Sequence, residues 1–268
     1  MKITRLLSAS LCFASTLAFS SCSKENESVT ASNDVPQAVL GQIKQLGFTT
    51  QGAAQVEGGY LVEGDIFLTN ENLASTSAAQ LLRVGADEQY RTTEVVSVGA
   101  GRTVSVAVSS VLPAAYVTAT DEVIRRYNAE NLLIKLVRVS SGGEITLTEA
   151  PRNARYLASA GFPTGGNPFN SVKVNARSIG TANPATYIAT ILAHEIGHCI
   201  GFRHTDYMDR SYSCGGSVSN EGASTVGAVL IPGTPATADS NSWMLACIGS
   251  GANRPFNAND RTALSFIY

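Results

Sequence analysis

The chain has 268 residues, 44% of them hydrophobic and 15% charged, with a net charge of −2. That composition is globular rather than disordered, and the length suits one domain with extensions or two small ones. No basic run offers a footprint for nucleic acid, so no nucleic-acid partner is expected.

The first residues read as a targeting segment. Met1 to Arg5 is short and basic, LLSASLCFASTLAF is apolar, and SSC closes the run. This is a signal for export, too short and too serine-rich for a comfortable membrane span. FSSC, ending at Cys22, resembles the lipobox of bacterial lipoproteins, in which the cysteine is lipidated and becomes the first residue. The resemblance implies a lipoprotein signal peptide over 1–22. A polar tether over 23–34 then leads to a protein held to the cell envelope or cell surface only through Cys22.

A small region of its own is expected over 35–93. VPQAVLGQIKQLGF places apolar residues at 35, 39, 40, 43 and 46, the spacing of a helix, with Gly47 to close it. GGYLVEGDIFLT reads as a strand with a glycine break, or as a hairpin arm, and NENLASTSAAQLL as a second short helix.

A different pattern follows, expected to be one domain over 94–268. TVSVAVSS alternates as a strand, and LPAAYVTATDEVIRRYNAEN is an amphipathic helix with Pro113 near its start. LLIKLVRVS and EITLTEA are two strands around a Ser-Gly-Gly turn at 141–143, and SVKVNARS is a further strand. NPATYIATILAHEIGHCIGF is a helix with Asn183 as its expected N-cap, Pro184 in its first turn and Gly201 at its end. A Gly/Ser/Thr/Pro-rich stretch over 211–257 has little periodicity, and NDRTALSFIY closes the chain as a short helix capped by Asn259 or Asp260.

The chain's three histidines, His194, His198 and His204, all fall in HEIGHCIGFRHTD, residues 194–206. Two histidines four apart on a helix share one face and can reach one ion. Gly201 stops the helix and lets His204 swing back as a third ligand. Three imidazoles suit Zn²⁺ and leave a fourth position open for water, as catalytic zinc sites do. Glu195 stands where a carboxylate can take the proton of an attacking water and pass it to a leaving amine.

HEIGHCIGFRH resembles the extended zinc motif of the metzincin metallopeptidases at every required position. NSWMLAC, 241–247, resembles their Met-turn, with Met244 at the key place. With SCGG, IPGTP and DSNSWMLAC, the chain looks most like the bacterial dual-action HEIGH metallopeptidases. The resemblance implies an α+β fold: a twisted, mostly parallel or mixed sheet with two long helices, an irregular lower part and a C-terminal helix. It implies a zinc endopeptidase acting on polypeptide, with an edge strand before the metal helix, assigned to VKVNA, that binds extended peptide. Where astacin-like members carry a tyrosine after the Met-turn, this chain has Ala246, with Tyr207 or Tyr212 as candidate substitutes. Asp206 is expected to fix the turn after His204 or to be a surface carboxylate.

YLVEGDIFL, 60–68, resembles the prosegments of astacin-like enzymes, in which an aspartate after glycine lies on the zinc. It lacks their aromatic residue. Asp65 is the candidate latency switch, with cleavage near EQYRTT to release the enzyme. Export also permits a disulfide. Beyond Cys12 and Cys22 three cysteines remain, which allow one pair, and Cys214–Cys247 is the first choice. Cys199 is then a packed thiol on the metal helix. A monomer is expected. Two alternatives stand beside the peptidase: a surface-attached binding protein with a structural metal, and a metal-dependent amidase acting on cell-wall peptide.

Overall fold

The computed structural model describes residues 35–74, 89–222, 227–235 and 238–268. The signal segment with Cys22, the tether to residue 34, most of the second expected helix and Glu88 at the start of EQYRTT lie outside the described residues.

The described chain opens with α1 (Gln37–Gln45), which Gly47 closes at φ 86°, a conformation that favours glycine. Next come β1 (Ala54–Val56), β2 (Gly59–Val62) and β3 (Ile66–Thr69), an antiparallel meander, so GGYLVEGDIFLT is a hairpin rather than one broken strand. Then α2 (Asn70–Ala74) begins. Val35, Ile43, Leu46, Phe48, Tyr60, Val62, Ile66, Leu68 and Leu73 close a small core of their own, to which the later chain adds Phe162.

The larger part begins with β4 (Tyr90–Arg91) and β5 (Arg102–Val108), followed by α3 (Ala114–Ala129), β6 (Ile134–Val139) and β7 (Ile145–Glu149). β6 and β7 do not pair with each other. They flank β5 on its two sides, both parallel to it. The Ser-Gly-Gly turn carries the chain across β5. A Cβ on Gly143 would stand 2.5 Å from the amide nitrogen of Ala107, so only glycine passes there.

β8 (Ala158–Ala160) and β9 (Ser171–Val174) complete the main sheet, whose order is β1-β2-β3-β8-β9-β7-β5-β6. β9, the expected edge strand, is internal. It lies parallel to β7 and antiparallel to β8, and β8 carries the edge. That edge is taken by β3, which runs parallel to β8 with Ile66 opposite Ala160. Periodicity could not reveal this, because ASA is short and its small residues carry no strand signature.

Past α4 (Ala176–Ile179) comes the metal helix α5 (Ala185–Ile200). It packs on α3 and on strands β8 and β9, while α3 covers β5 and β6. Pro184, not Asn183, stands at its N-cap, and the Asn183 side chain donates instead to the Ile179 carbonyl. Gly201 ends it at φ 116°. Nearly every residue of α5 is buried, as an apolar run such as YIATILA predicts for a helix between two layers. Beyond it lie α6 (Ser211–Cys214), β10 (Val229–Leu230), paired with β4, and α7 (Ala258–Ile267). Asn257 caps α7, and Asp260 closes the capping box as its third residue. No helix among the described residues is long and apolar enough to cross a membrane.

Candidate metal and active site

α5 places His194 and His198 one turn apart, and Gly201 reverses the chain so that His204 returns to them. The Nε2 atoms of His194 and His198 are 3.0 Å apart, and those of His198 and His204 are 3.2 Å apart. Nitrogens about 2.0–2.1 Å from one tetrahedral zinc stand about 3.3 Å from each other, so the three side chains fit that ion. Asp65 joins them from the turn between β2 and β3. Its Oδ2 is 3.1 Å from the Nε2 of His204 and 3.5 Å from that of His194. His194, His198, His204 and Asp65 together could hold a metal.

Each histidine is aimed by its other nitrogen. The Nδ1 of His194 donates to the Trp243 carbonyl at 3.0 Å, and that of His198 to the Phe202 carbonyl at 2.8 Å. A carbonyl only accepts, so both Nδ1 atoms carry the proton and both Nε2 lone pairs face inward. Burial, reinforced by the neighbouring imidazoles, holds His198 well below the usual histidine range and so favours the neutral ligand form.

Glu195 is buried on the same helix, and its Oε2 finds no hydrogen-bond partner among the described residues. Burial first, and the Asp65 carboxylate second, push it well above the ordinary carboxylate range. Glu195 and His194 line a pocket of about 280 Å³ together with Asp65, Tyr156, Ile191, Leu245 and Arg254.

Trp243 and Met244 lie beneath α5 at Gly197. A Cβ there would meet the Trp243 ring at 2.5 Å and the Met244 sulfur at 2.7 Å. Asp206 is buried and ties this turn to the metal loop. Its carboxylate accepts from the Ala246 amide at 2.9 Å and from the Ser213 hydroxyl. Met244 closes the link from the other side, its carbonyl accepting from the Thr205 amide at 3.0 Å. Cys214 and Cys247 form a disulfide, and Cys199 is free and buried within α5.

Neither tyrosine considered in place of Ala246 lines the pocket. Tyr207 packs edge-on against Tyr90 at 4.4 Å, and Tyr212 donates to the Ala238 carbonyl at the surface. Tyr156 is the tyrosine that shares the pocket with Glu195. Gln89 to Thr92 are woven into the larger part. The Gln89 amide donates to Asp260 at 2.7 Å, the Tyr90 carbonyl accepts from Arg203, and the Thr92 amide donates to Gly201.

Two further residues had no sequence signal. Glu221 meets the Nδ1 of His204, and Arg203, on the turn after α5, pairs with Glu63. Both are buried charges, and only the tertiary fold gives them their partners.

Two histidines and a glutamate on a helix against a mixed sheet, a third histidine on the loop that follows and a methionine turn below define a metzincin-like metallopeptidase. The sequence profile of the dual-action HEIGH metallopeptidases matches residues 60–268, and the chain belongs to that family. It is a zinc metallopeptidase. Two solved structures of myroilysin align with it at 16% and 13% identity. They cover 67% and 66% of this chain and 98% and 86% of theirs, with TM-scores of 0.42 and 0.41. High choriolytic enzyme 1, a hatching-enzyme zinc protease of the medaka fish Oryzias latipes, aligns at 11% identity over 64% of this chain and 92% of its own, with a TM-score of 0.34. No curated protein sequence matches.

Proposed function

We propose that the protein is an exported, lipid-anchored zinc endopeptidase with Glu195 as its general base, kept latent by Asp65 until the N-terminal region is removed. The observation that carries the catalytic reading is Glu195 Oε2, buried and without a hydrogen-bond partner among the described residues, in the pocket that His194 lines. An unsatisfied buried carboxylate oxygen costs stability, and a water or substrate proton would satisfy it.

His194, His198 and His204 would hold the zinc. When bound, it supplies Lewis acidity for the attacking water and the scissile carbonyl. Glu195 takes the proton of the water at Oε2 and returns it to the leaving amine nitrogen. Ile191 and Leu245 offer apolar walls for one substrate side chain. Extended substrate would pair with the β8 edge once β3 has left it. The embedding of Gln89 to Thr92 favours processing before Gln89, so that these residues stay with the enzyme. Cys22 would anchor the unprocessed form.

The test is hydrolysis of casein by the processed enzyme, with and without chelator, by wild type and Glu195→Ala. Loss of activity in both cases is expected, and activity that survives either would refute the assignment. One observation favours a second reading. With Asp65 the donor set is closed at four, as in structural sites. Zinc retained without turnover, in a chain freed of residues 35–74, would select the binding protein instead.

A further inference from the structure

His204 is the ligand that the helix does not place. His194 and His198 take their positions from α5 and their orientations from backbone carbonyls. His204 follows Gly201 on a loop, and its Nδ1 meets no carbonyl among the described residues. It lies 2.8 and 3.0 Å from the two carboxylate oxygens of Glu221, a residue from the Gly/Ser-rich stretch. Both residues are about 1% exposed. Water therefore does not compete for this contact.

Glu221 is itself fixed. Its amide donates to the Tyr207 carbonyl at 2.7 Å, and two guanidiniums flank its carboxylate. Arg210 Nε stands 3.3 Å away and Arg203 Nη2 3.8 Å away. Two acidic side chains, Glu63 and Glu221, thus face two guanidiniums, Arg203 and Arg210. A carboxylate without opposite charge would not persist at this depth.

We propose that Glu221 is the positioning residue for the third zinc ligand. By accepting the Nδ1 proton of His204 it selects the tautomer whose Nε2 lone pair faces the metal. It also holds the ring in the plane where Nε2 meets those of His194 and His198. A carboxylate acceptor makes His204 a stronger donor than its two carbonyl-bonded partners. The proposal rests on the three-histidine reading of the centre, and its test separates the two.

Zinc affinity of the full chain is measured by competition with a chromophoric chelator, for wild type and Glu221→Gln. The visible spectrum of the cobalt-substituted forms is recorded beside it. Glu221→Gln is expected to bind zinc about 10–100-fold more weakly and to shift the cobalt bands. A Glu221→Gln protein that is less stable but binds zinc as wild type does, with unchanged cobalt bands, would show a merely structural role and overturn the proposal. Should that variant not fold, the wild type decides. It has three histidines, so ¹⁵N-histidine labelling resolves every imidazole. The His204 Nδ1 proton is expected downfield of the other two, as a carboxylate partner requires, and a His204 protonated at Nε2 would refute the assignment. Wild type that binds no zinc overturns both this proposal and the donor set beneath it.

Discussion

The carboxylate of Glu63 and the guanidinium of Arg203 are buried against each other, Oε2 to Nη2 3.1 Å, and join the N-terminal hairpin to the turn between His198 and His204. Arg203 sits among the rings of Phe48, Phe162 and Tyr207, each 5.6–5.9 Å from its guanidinium carbon. Glu63 reaches it from a left-handed backbone at φ 54°, unusual for a residue with a side chain.

Removing one partner of such a pair leaves the other charge buried. Glu63→Ala is therefore expected to destabilise the full chain by about 3 kcal/mol. It should also speed hydrogen exchange over 59–69 ahead of the rest of the sheet. Denaturant unfolding and exchange mass spectrometry measure both. A variant as stable as wild type, with an unchanged exchange pattern, would mean the pair does not hold the hairpin.

Gly197→Ala tests the contact between the metal helix and the turn beneath it. In an exposed helix interior this change stabilises by about 1 kcal/mol. Here the new methyl would overlap Trp243 and Met244, so the sign should reverse, to a loss of about 1–3 kcal/mol. Because the Trp243 carbonyl aims His194, weaker zinc binding should accompany it. A stabilised variant with wild-type zinc affinity would contradict the packing.

The metal centre was readable because its determinants are local. His194, Glu195 and His198 come together by helical spacing, and His204 joins them through the one glycine, Gly201, that ends the helix between His198 and His204. Glu221 and Arg203 were not readable, because a charged residue in a loop carries no sign of burial until its partners fold around it. The same holds for β8. Its three residues make a strand only because β9 on one side and β3 on the other supply the hydrogen bonds. The caps show the limit of capping rules: Pro184 stands at the cap expected of Asn183, and Asn257 caps the last helix in place of Asn259 or Asp260, with Asp260 serving as the third residue of its capping box.

The Cys214–Cys247 bridge spans 33 positions and ties α6 to the turn that carries Met244. A loop of that length contributes about 3–4 kcal/mol through the entropy of the unfolded chain. Cys214→Ser with Cys247→Ser is expected to lose roughly that much, and reductant should lower the wild-type melting temperature while leaving the double variant unchanged. Equal melting temperatures for oxidised and reduced wild type would count against a stabilising bridge.

Asp65 tests latency itself. Its carbonyl accepts from the Ala160 amide at 3.0 Å, so its position is set by the sheet rather than by the metal. The side chain then needs no search to reach His204 and His194. Its Oδ1 is buried with no hydrogen-bond partner among the described residues, a cost that a cation at the centre would offset. Asp65→Ala in the full chain is expected to be processed faster and, through the processed form, to raise casein hydrolysis at least about tenfold, because the blocked form loses a contact that favours it. Asp65→Ala combined with Glu195→Ala should return the activity to background, which ties the gain to the same centre. Chelator should abolish the activity of Asp65→Ala. It should also speed proteolysis of the hairpin in wild type, where the metal contact adds to the Glu63–Arg203 pair. If Asp65→Ala is no more active and no more readily processed than wild type, Asp65 is a turn residue beside the metal and not its latch.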